Sequence, residues 1–305
     1  MLPLIMLIDS DKSYTPLFWT NRYASLHGAA HKILPVELSE SSFALFTYSN
    51  LDFLRSPGRA TFGGFWPNET ARRIDLDYAL TAYRHFFKKF PECNEAKIIL
   101  PPKSFFPNIY ESQLNALMKF NVNQIIVDTN YYVEVQNWSK GNINKGNRKK
   151  IRQFIELGGT VSYSSLGMIE KCYGVLVENR ERRGVTLTMK YEDFENSLVS
   201  CGDDFKLIQA SLDNQIVAAC YLVKILPDYW YVLFWGEAVN FRSMSPVASL
   251  FQFIIEDAQK NRVRVLDLGI SSVEGVLDEG LARFKSNLGA IFSDKVTLNI
   301  SLHQN

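Results

Sequence analysis

The sequence predicts an α/β (α+β) chain folded as two lobes, and three observations carry that prediction. A length of 305 residues suits two compact domains, since one domain commonly takes about 150 residues. Hydrophobic residues at 47% and aromatics at 13% supply core material, and a charged fraction of 21% is ordinary for a globular chain. Strand-like and helix-like segments alternate through both halves, interrupted by one polar, basic stretch, WSKGNINKGNRKK at 138–150. That stretch sets the expected lobes at 1–145 and 146–305.

In the first half, 43–48 (FALFTY) and 60–66 (ATFGGFW) read as strands around a turn region containing Ser56, Pro57 and Gly58. Asp75 opens a helix in which Leu76, Ala79, Leu80, Tyr83, Phe86 and Phe87 form one apolar stripe, and Pro91 ends it. Residues 96–100 read as a buried strand, 109–120 as an amphipathic helix and 124–135 as a long strand. In the second half, a helix over 147–157 precedes a short strand at 160–163 and helices at 167–182 and 191–199. The run 206–225 reads as two strands joined at Asp213-Asn214, residues that accept positive φ in a tight hairpin turn. A third adjacent strand at 229–235, a helix at 246–260, a strand at 263–268, a helix at 279–287 and a strand at 296–300 complete the order.

With 33 basic and 32 acidic residues the net charge is +1, so no whole-molecule field draws the chain to nucleic acid or an anionic membrane. An anionic ligand must meet a local patch. Lys145, Arg148, Lys149, Lys150 and Arg152 read as a solvated basic face, with a grip on tRNA or an anionic lipid headgroup as the alternative. Cys93, Cys172, Cys201 and Cys220 form no CxxC pair, which fits reduced thiols rather than a disulfide framework or zinc site. His27, His31, His85 and His303 show no ligand pattern, and no metal is expected. The N-terminal MLPLIMLI lacks the basic start and cleavage site of a signal peptide, and no stretch approaches the about 20 apolar residues of a membrane span. The expectation is a cytoplasmic protein without integral membrane contact.

Four segments carry a resemblance to a known family: GNRKKIRQF (146–154), YGVLVENRERRG (173–184), and VLDLGIS (265–271) with GLARFKSNLGA (280–290). In their order they resemble the Fem-type, double-lobed branch of the GNAT N-acyltransferase superfamily, where an aspartate-glycine strand end is followed by a glycine-leucine, phenylalanine-lysine helix. SPGRATFGGFW (56–66) is similar to the glycine-bearing strand that precedes the first cleft helix of such proteins. The resemblance implies two tandem GNAT-like lobes, each a mixed, largely antiparallel sheet flanked by helices, with the C-terminal lobe as the acyltransferase. Two departures stand out. In place of the glycine-rich pyrophosphate loop the chain has NFRSMSPVASL (240–250), and it has no heptad segment for the coiled-coil arm of Fem peptidyltransferases.

Transfer of this type needs an amine positioned beside an activated carbonyl, removal of a proton, and a backbone N–H for the oxyanion. Arg242, Ser243, Met244, Ser245 and Val247 surround a helix start with Pro246 in its first turn, where free N–H groups and the helix dipole favour phosphate. They are the candidate cofactor-binding residues, and a plain Ser245 cap is the competing reading. Asp267, Gly269 and Ser271 stand at the carboxyl end of a buried strand, an edge that ligands prefer in α/β folds. Asp267 is a candidate catalytic base or hydrogen-bond acceptor for a substrate amine, or else a structural Asp bonded to nearby amides. Lys285 is the second catalytic candidate, for a phosphate or substrate carboxylate, against a solvated lysine. Arg180 is chosen from the charged helix end that it forms with Glu178, Glu181, Arg182 and Arg183. Arg59, Gly63, Gly64 and Trp66 are expected to line a cleft, although a β-bulge requires the same glycines. Tyr221 and Trp235 are the candidate substrate-binding aromatics.

The resemblance implies an enzyme that moves an acyl group, acetyl from acetyl-CoA or another acyl-CoA, to an amine of a sugar, amino acid or cell-envelope precursor. An aminoacyl-tRNA-dependent peptidyltransferase of the same family and a non-catalytic GNAT-like binding protein remain open beside it.

Overall fold

A computed structural model of the chain describes residues 14–39, 42–67 and 74–302; the apolar N-terminal run and His303 lie outside them. In chain order the first elements are α1 (Asn21–His27), β1 (Lys32–Ser39), β2 (Ser42–Tyr48), β3 (Leu54–Ser56), β4 (Gly64–Pro67), α2 (Leu76–Phe87), β5 (Glu95–Ile99), α3 (Pro107–Leu117) and β6 (Asn121–Glu134). There follow α4 (Lys145–Glu156), β7 (Thr160–Tyr163), α5 (Ile169–Glu181), α6 (Tyr191–Ser200), β8 (Phe205–Leu212), β9 (Gln215–Leu226), β10 (Tyr229–Glu237) and α7 (Pro246–Lys260). The last are β11 (Val265–Ile270), β12 (Ser272–Val273), β13 (Val276–Leu277), α8 (Glu279–Ser286) and β14 (Ile291–Ser301).

Two compact units result. Unit 1 takes the described residues up to Asn130, Ser272–Leu277 and the described residues from Ser293 onward, and unit 2 takes Tyr131–Ser271 with Asp278–Phe292. The division at 145 and 146 drawn from the basic connector falls inside unit 2. Composition marks where the chain is exposed, whereas strand pairing decides that β14 returns to unit 1 beside β5.

Unit 2 is an antiparallel series, β7 on β8, β8 on β9 and β9 on β10, closed by a parallel pair of β10 and β11. The β8–β9 hairpin turns at Asp213 and Asn214, whose φ values of 50° and 61° match the twist of the strands they join. Helix α7 buries Leu250, Phe251, Ile254, Ile255 and Ala258 in the same core as Ile208, Cys220, Leu222 and Leu266. A mixed, largely antiparallel sheet with helices on it is the architecture the sequence predicts.

In unit 1, β1, β2 and β4 form an antiparallel sheet, while β5 pairs in parallel with β3 and antiparallel with β14. The strand expected from Ala60 begins only at Gly64. Strand β1 escapes the hydrophobic pattern because Pro35 interrupts it, and it is an edge strand, where proline is tolerated. The Asp75 side chain caps α2 by accepting the Tyr78 N–H at 3.0 Å, and α2 stacks Phe86 on Phe46 with ring centroids 4.1 Å apart.

Gln113, fully buried on α3, ties three elements of this unit together. Its Oε1 accepts the Phe65 N–H at 3.0 Å and the Tyr83 hydroxyl at 2.7 Å, and its Nε2 donates to the Phe65 carbonyl at 3.3 Å. Gly64, at φ +76°, leaves room for that amide, since a Cβ there would stand 2.2 Å from Oε1. A buried polar group left without its partner costs about 1–3 kcal/mol. Gln113→Leu therefore lowers stability by about 2–5 kcal/mol in a urea titration, and Tyr83→Phe by less, because Tyr83→Phe leaves Oε1 still paired with Phe65.

Candidate active site

Strands β10 and β11 pair over Tyr229–Tyr231 and Val265–Asp267 and, among the described residues, no further. Beyond that point β11 turns through Gly269 at φ +75°, a conformation that favours glycine. The Tyr231 hydroxyl lies 3.3 Å from where a Cβ on Gly269 would stand. Strand β10 also changes register against β9 between Val232 and Phe234. Its backbone from Val232 to Glu237 is thereby released from the parallel ladder, the condition for N–H groups to face a reacting carbonyl.

Helix α8 opens at Asp278, whose side chain accepts the Leu281 N–H at 2.9 Å, and it carries Lys285 into the turn of β11. Lys285 is only 1% exposed. Its Nζ donates to the carbonyls of Gly269 and Ile270, both at 2.8 Å, and lies 5.8 Å from the centre of the Tyr131 ring. Burial pushes its pKa down to about 7; the charge of Asp267 opposes that fall, and Arg183 and Arg180 add to it. The amine is thus poised between its two protonation states near neutrality.

Asp267 is itself fully buried. One oxygen accepts the Gly269 N–H at 2.7 Å and the other accepts the Tyr229 hydroxyl. The bond to a nearby amide is the structural arrangement that the sequence left open, and Asp267 also acts electrostatically on Lys285. Arg183 pairs with Asp278. Arg180 lays its guanidinium over Phe234, 5.5 Å from the ring centre. Ser271 is 1% exposed and its hydroxyl is buried without a hydrogen-bond partner among the described residues. Arg180 and Arg183 bring positive charge to this strand end, and Asp267 and Asp278 oppose it.

The start of α7 is built differently from an anion seat. Pro246 has no N–H, and the Ala248 N–H is bonded to the Ser245 carbonyl at 2.9 Å. Burial raises the carboxyl pKa of Glu237, the last residue of β10, to about 7, with the Val247 N–H opposing that rise. Ser245 adopts φ 48°, ψ 57° and its side chain makes no capping bond. Arg242 and Ser243 are exposed and Met244 is half-buried. A diphosphate needs a run of free N–H groups, so the residues at this turn do not fit the diphosphate of an acyl-CoA.

The structure brings Asp267, Gly269, Ser271, Lys285 and Arg180 together in unit 2. Trp235 meets the neighbour of Lys285, with its ring 5.8 Å from Phe284. Tyr221 is fully buried instead, stacked on Phe194 at 4.2 Å with its hydroxyl bonded to Ser197. Arg59, Gly63, Gly64 and Trp66 belong to unit 1. Arg59 is exposed and its carbonyl accepts the Tyr23 hydroxyl at 2.5 Å. A Cβ on Gly63 would strike the Pro57 nitrogen at 2.6 Å, and Trp66 packs against Phe106 at 5.2 Å. Glu237 and Asp278 escaped the sequence reading. For Glu237 a signal existed, an acid at the strand end just ahead of the segment that replaces the glycine loop. Among the described residues no group of three or more His, Cys, Asp or Glu could hold a metal ion, and no helix is long and apolar enough to cross a membrane.

No curated protein matches the chain. The sequence model of the family described as "Acetyltransferase (GNAT) domain" matches residues 142–286. Among solved structures the chain is similar to FemX, at 12% identity, covering 93% of this chain and 91% of that one, with a TM-score of 0.68. It is similar to the C-terminal domain of a putative lysylphosphatidylglycerol synthetase from Agrobacterium fabrum, at 10% identity over 89% and 84% of the two chains with a TM-score of 0.56. It is also similar to a tandem GNAT protein from the clavulanic acid biosynthesis pathway, at 12% identity over 90% and 85% with a TM-score of 0.51. The chain therefore has the fold of the Fem-like, double-lobed branch of the GNAT superfamily, and its residues 142–286 carry the match to the acetyltransferase domain.

Proposed function

We propose that this protein is an N-acyltransferase that moves an aminoacyl group from an aminoacyl ester, an aminoacyl-tRNA, to the amine of a small-molecule or cell-envelope-precursor acceptor. The observation that carries this reading is the Lys285 amine, held out of water with a pKa near 7 at the point where β10 and β11 part. A neutral amine has two N–H groups and one lone pair. The carbonyls of Gly269 and Ile270 engage the N–H groups, which leaves the lone pair for a proton of the attacking amine.

In the reaction the acceptor nitrogen bonds to the ester carbonyl carbon and the bond from that carbon to the tRNA hydroxyl oxygen breaks. Lys285 takes the proton from nitrogen and returns it to the departing oxygen. Backbone N–H groups of β10 beyond Tyr231 receive the oxyanion, and Arg180 orients a carboxylate or phosphate of the acceptor.

The donor reading rests on the misfit of acyl-CoA at the start of α7, and on a fold shared with a protein whose name states a lysyl product. Acyl transfer from acetyl-CoA is the second reading, favoured by the acetyltransferase domain match. Product formation from labelled aminoacyl-tRNA, with none from labelled acetyl-CoA, separates the two.

Two variants test the chemistry. Lys285→Arg keeps the charge but not the titration, so kcat falls by about a hundredfold or more, the usual scale of general-base catalysis. Wild-type kcat rises with pH through about 7; a Lys285→Arg enzyme with the wild-type profile would sink the assignment. Asp267 holds the Lys285 pKa up, so Asp267→Asn moves the rising limb to lower pH. An unmoved limb with lowered thermal stability would make Asp267 structural only.

A further inference from the structure

Helix α4 carries the basic run of the sequence on one side. Lys145, Arg148, Lys149 and Arg152 stand at i, i+3, i+4 and i+7, the spacing that places side chains on one helix face, and all four are exposed. The other side holds the helix down through Asn147, Ile151 and Phe154, which are buried. Among the described residues none of the four cations has a carboxylate within ion-pair distance; Arg148 donates one N–H to the Gly141 carbonyl at 3.3 Å. Like charges at this spacing repel one another, and the chemistry at the end of β11 makes no use of them.

Beside that face the surface opens into a cavity of about 290 Å³ between α4 and α7. Its inner lining is isoleucine: Ile143 and Ile151 are buried, and Ile155 is 58% exposed. Its rim is cationic, formed by Lys140, Arg148 and Arg152. Of the acids nearby, Glu256 on α7 is taken up by Lys140 at 2.9 Å, and Glu156 stands at the last residue of α4. An apolar slot with a cationic rim matches a molecule in which an apolar part and an anionic part are joined. A nucleic-acid backbone offers phosphate to the cations but nothing for the isoleucines to bury. An anionic lipid offers both, a headgroup phosphate for the arginines and acyl methylenes for the slot. The size of the cavity agrees, because sites for whole small molecules commonly take about 300–1,000 Å³, and this one suits a stretch of chain whose remainder stays in its bilayer.

We propose that this face of α4 is a docking surface for an anionic membrane, with lipid phosphates on Lys145, Arg148, Lys149 and Arg152 and acyl methylenes against Ile151 and Ile155. The helix lies along the surface, as basic amphipathic helices do, and the long arginine and lysine stems add apolar length while their charged ends stay among the phosphates. With a net charge of +1 the attraction is local to this face, acting within a screening length of about 8 Å at physiological salt, so docking is reversible. The inference does not rest on the transfer reading.

The experiment is co-sedimentation of the purified chain with vesicles of phosphatidylglycerol and phosphatidylcholine in equal parts and, separately, with vesicles of phosphatidylcholine alone. The wild type sediments with the first and not with the second, and raised salt releases it. The double variant Arg148→Ala, Arg152→Ala binds the anionic vesicles about thirtyfold more weakly. Ile155→Ser binds them about fivefold more weakly or less tightly still, with the salt dependence of the wild type. These positions are exposed, so the variants stay folded, and an unchanged melting temperature verifies it. Equal sedimentation with both vesicle types, or variants that sediment as the wild type does, overturns the proposal. So does failure to bind the anionic vesicles, including the case in which the same two arginines capture bulk tRNA instead.

Discussion

The carbonyls of Gly269 and Ile270 hold the Lys285 amine at 2.8 Å, and much of unit 2 is arranged around that attachment. It requires β11 to turn at Gly269, which the glycine's positive φ permits and which the bond from the Gly269 N–H to Asp267 reinforces. It requires α8 to start where it does, and Asp278 fixes that start by capping the Leu281 N–H. Once β11 turns, it leaves β10, and the backbone of β10 is free for chemistry. A single buried lysine thereby links the end of one strand, the register of another and the first turn of a helix.

Two ionisable groups in this unit are pushed towards neutrality from opposite sides. Burial lowers Lys285 to about 7 and raises Glu237 to about 7. In both cases desolvation outweighs opposite charges, Asp267 for the lysine and the more distant Arg182, Arg242 and Lys150 for the glutamate. The reason is geometric: the lysine bonds to neutral carbonyls rather than to a carboxylate, and one glutamate oxygen has no hydrogen-bond partner among the described residues. Charges that act from a distance through protein recover only part of what hydration supplied.

Much of the fold was legible because its signals are local. The bounds of α7 at Pro246 and Lys260 follow from a proline in the first turn and an apolar stripe, and the β8–β9 hairpin follows from Asp213-Asn214. Strand β1 was not legible, because Pro35 conceals it and its pairing with β2 supplies what its own sequence lacks. The site was legible in part. Asp267 and Lys285 were singled out as candidates through a strand end and a phenylalanine-lysine pair, but the depth of their burial is a product of tertiary packing. Ser245 looked like a cap, yet its left-handed backbone turns the side chain away from that role. Tyr221 looked like a cleft residue because strand alternation allows two faces, and α6 covers the one it occupies.

The same two groups place their electrostatic cost to the fold near neutral pH. A carboxylate whose pKa is 4.5 when unfolded and about 7 when folded removes stability as pH rises between those values, because the unfolded chain ionises first. A lysine whose pKa is 10.5 unfolded and about 7 folded restores stability as pH rises from about 7 to 10.5, because there the unfolded chain holds the extra proton. Their joint contribution is therefore least favourable around neutrality. Protein cores seldom keep such groups unless something else requires them. For Lys285 the requirement would be the base of the proposed transfer, an amine with a pKa of about 7. The instability is local to the residues that need it, while α7 and the antiparallel strands that carry them are packed with aliphatic and aromatic side chains.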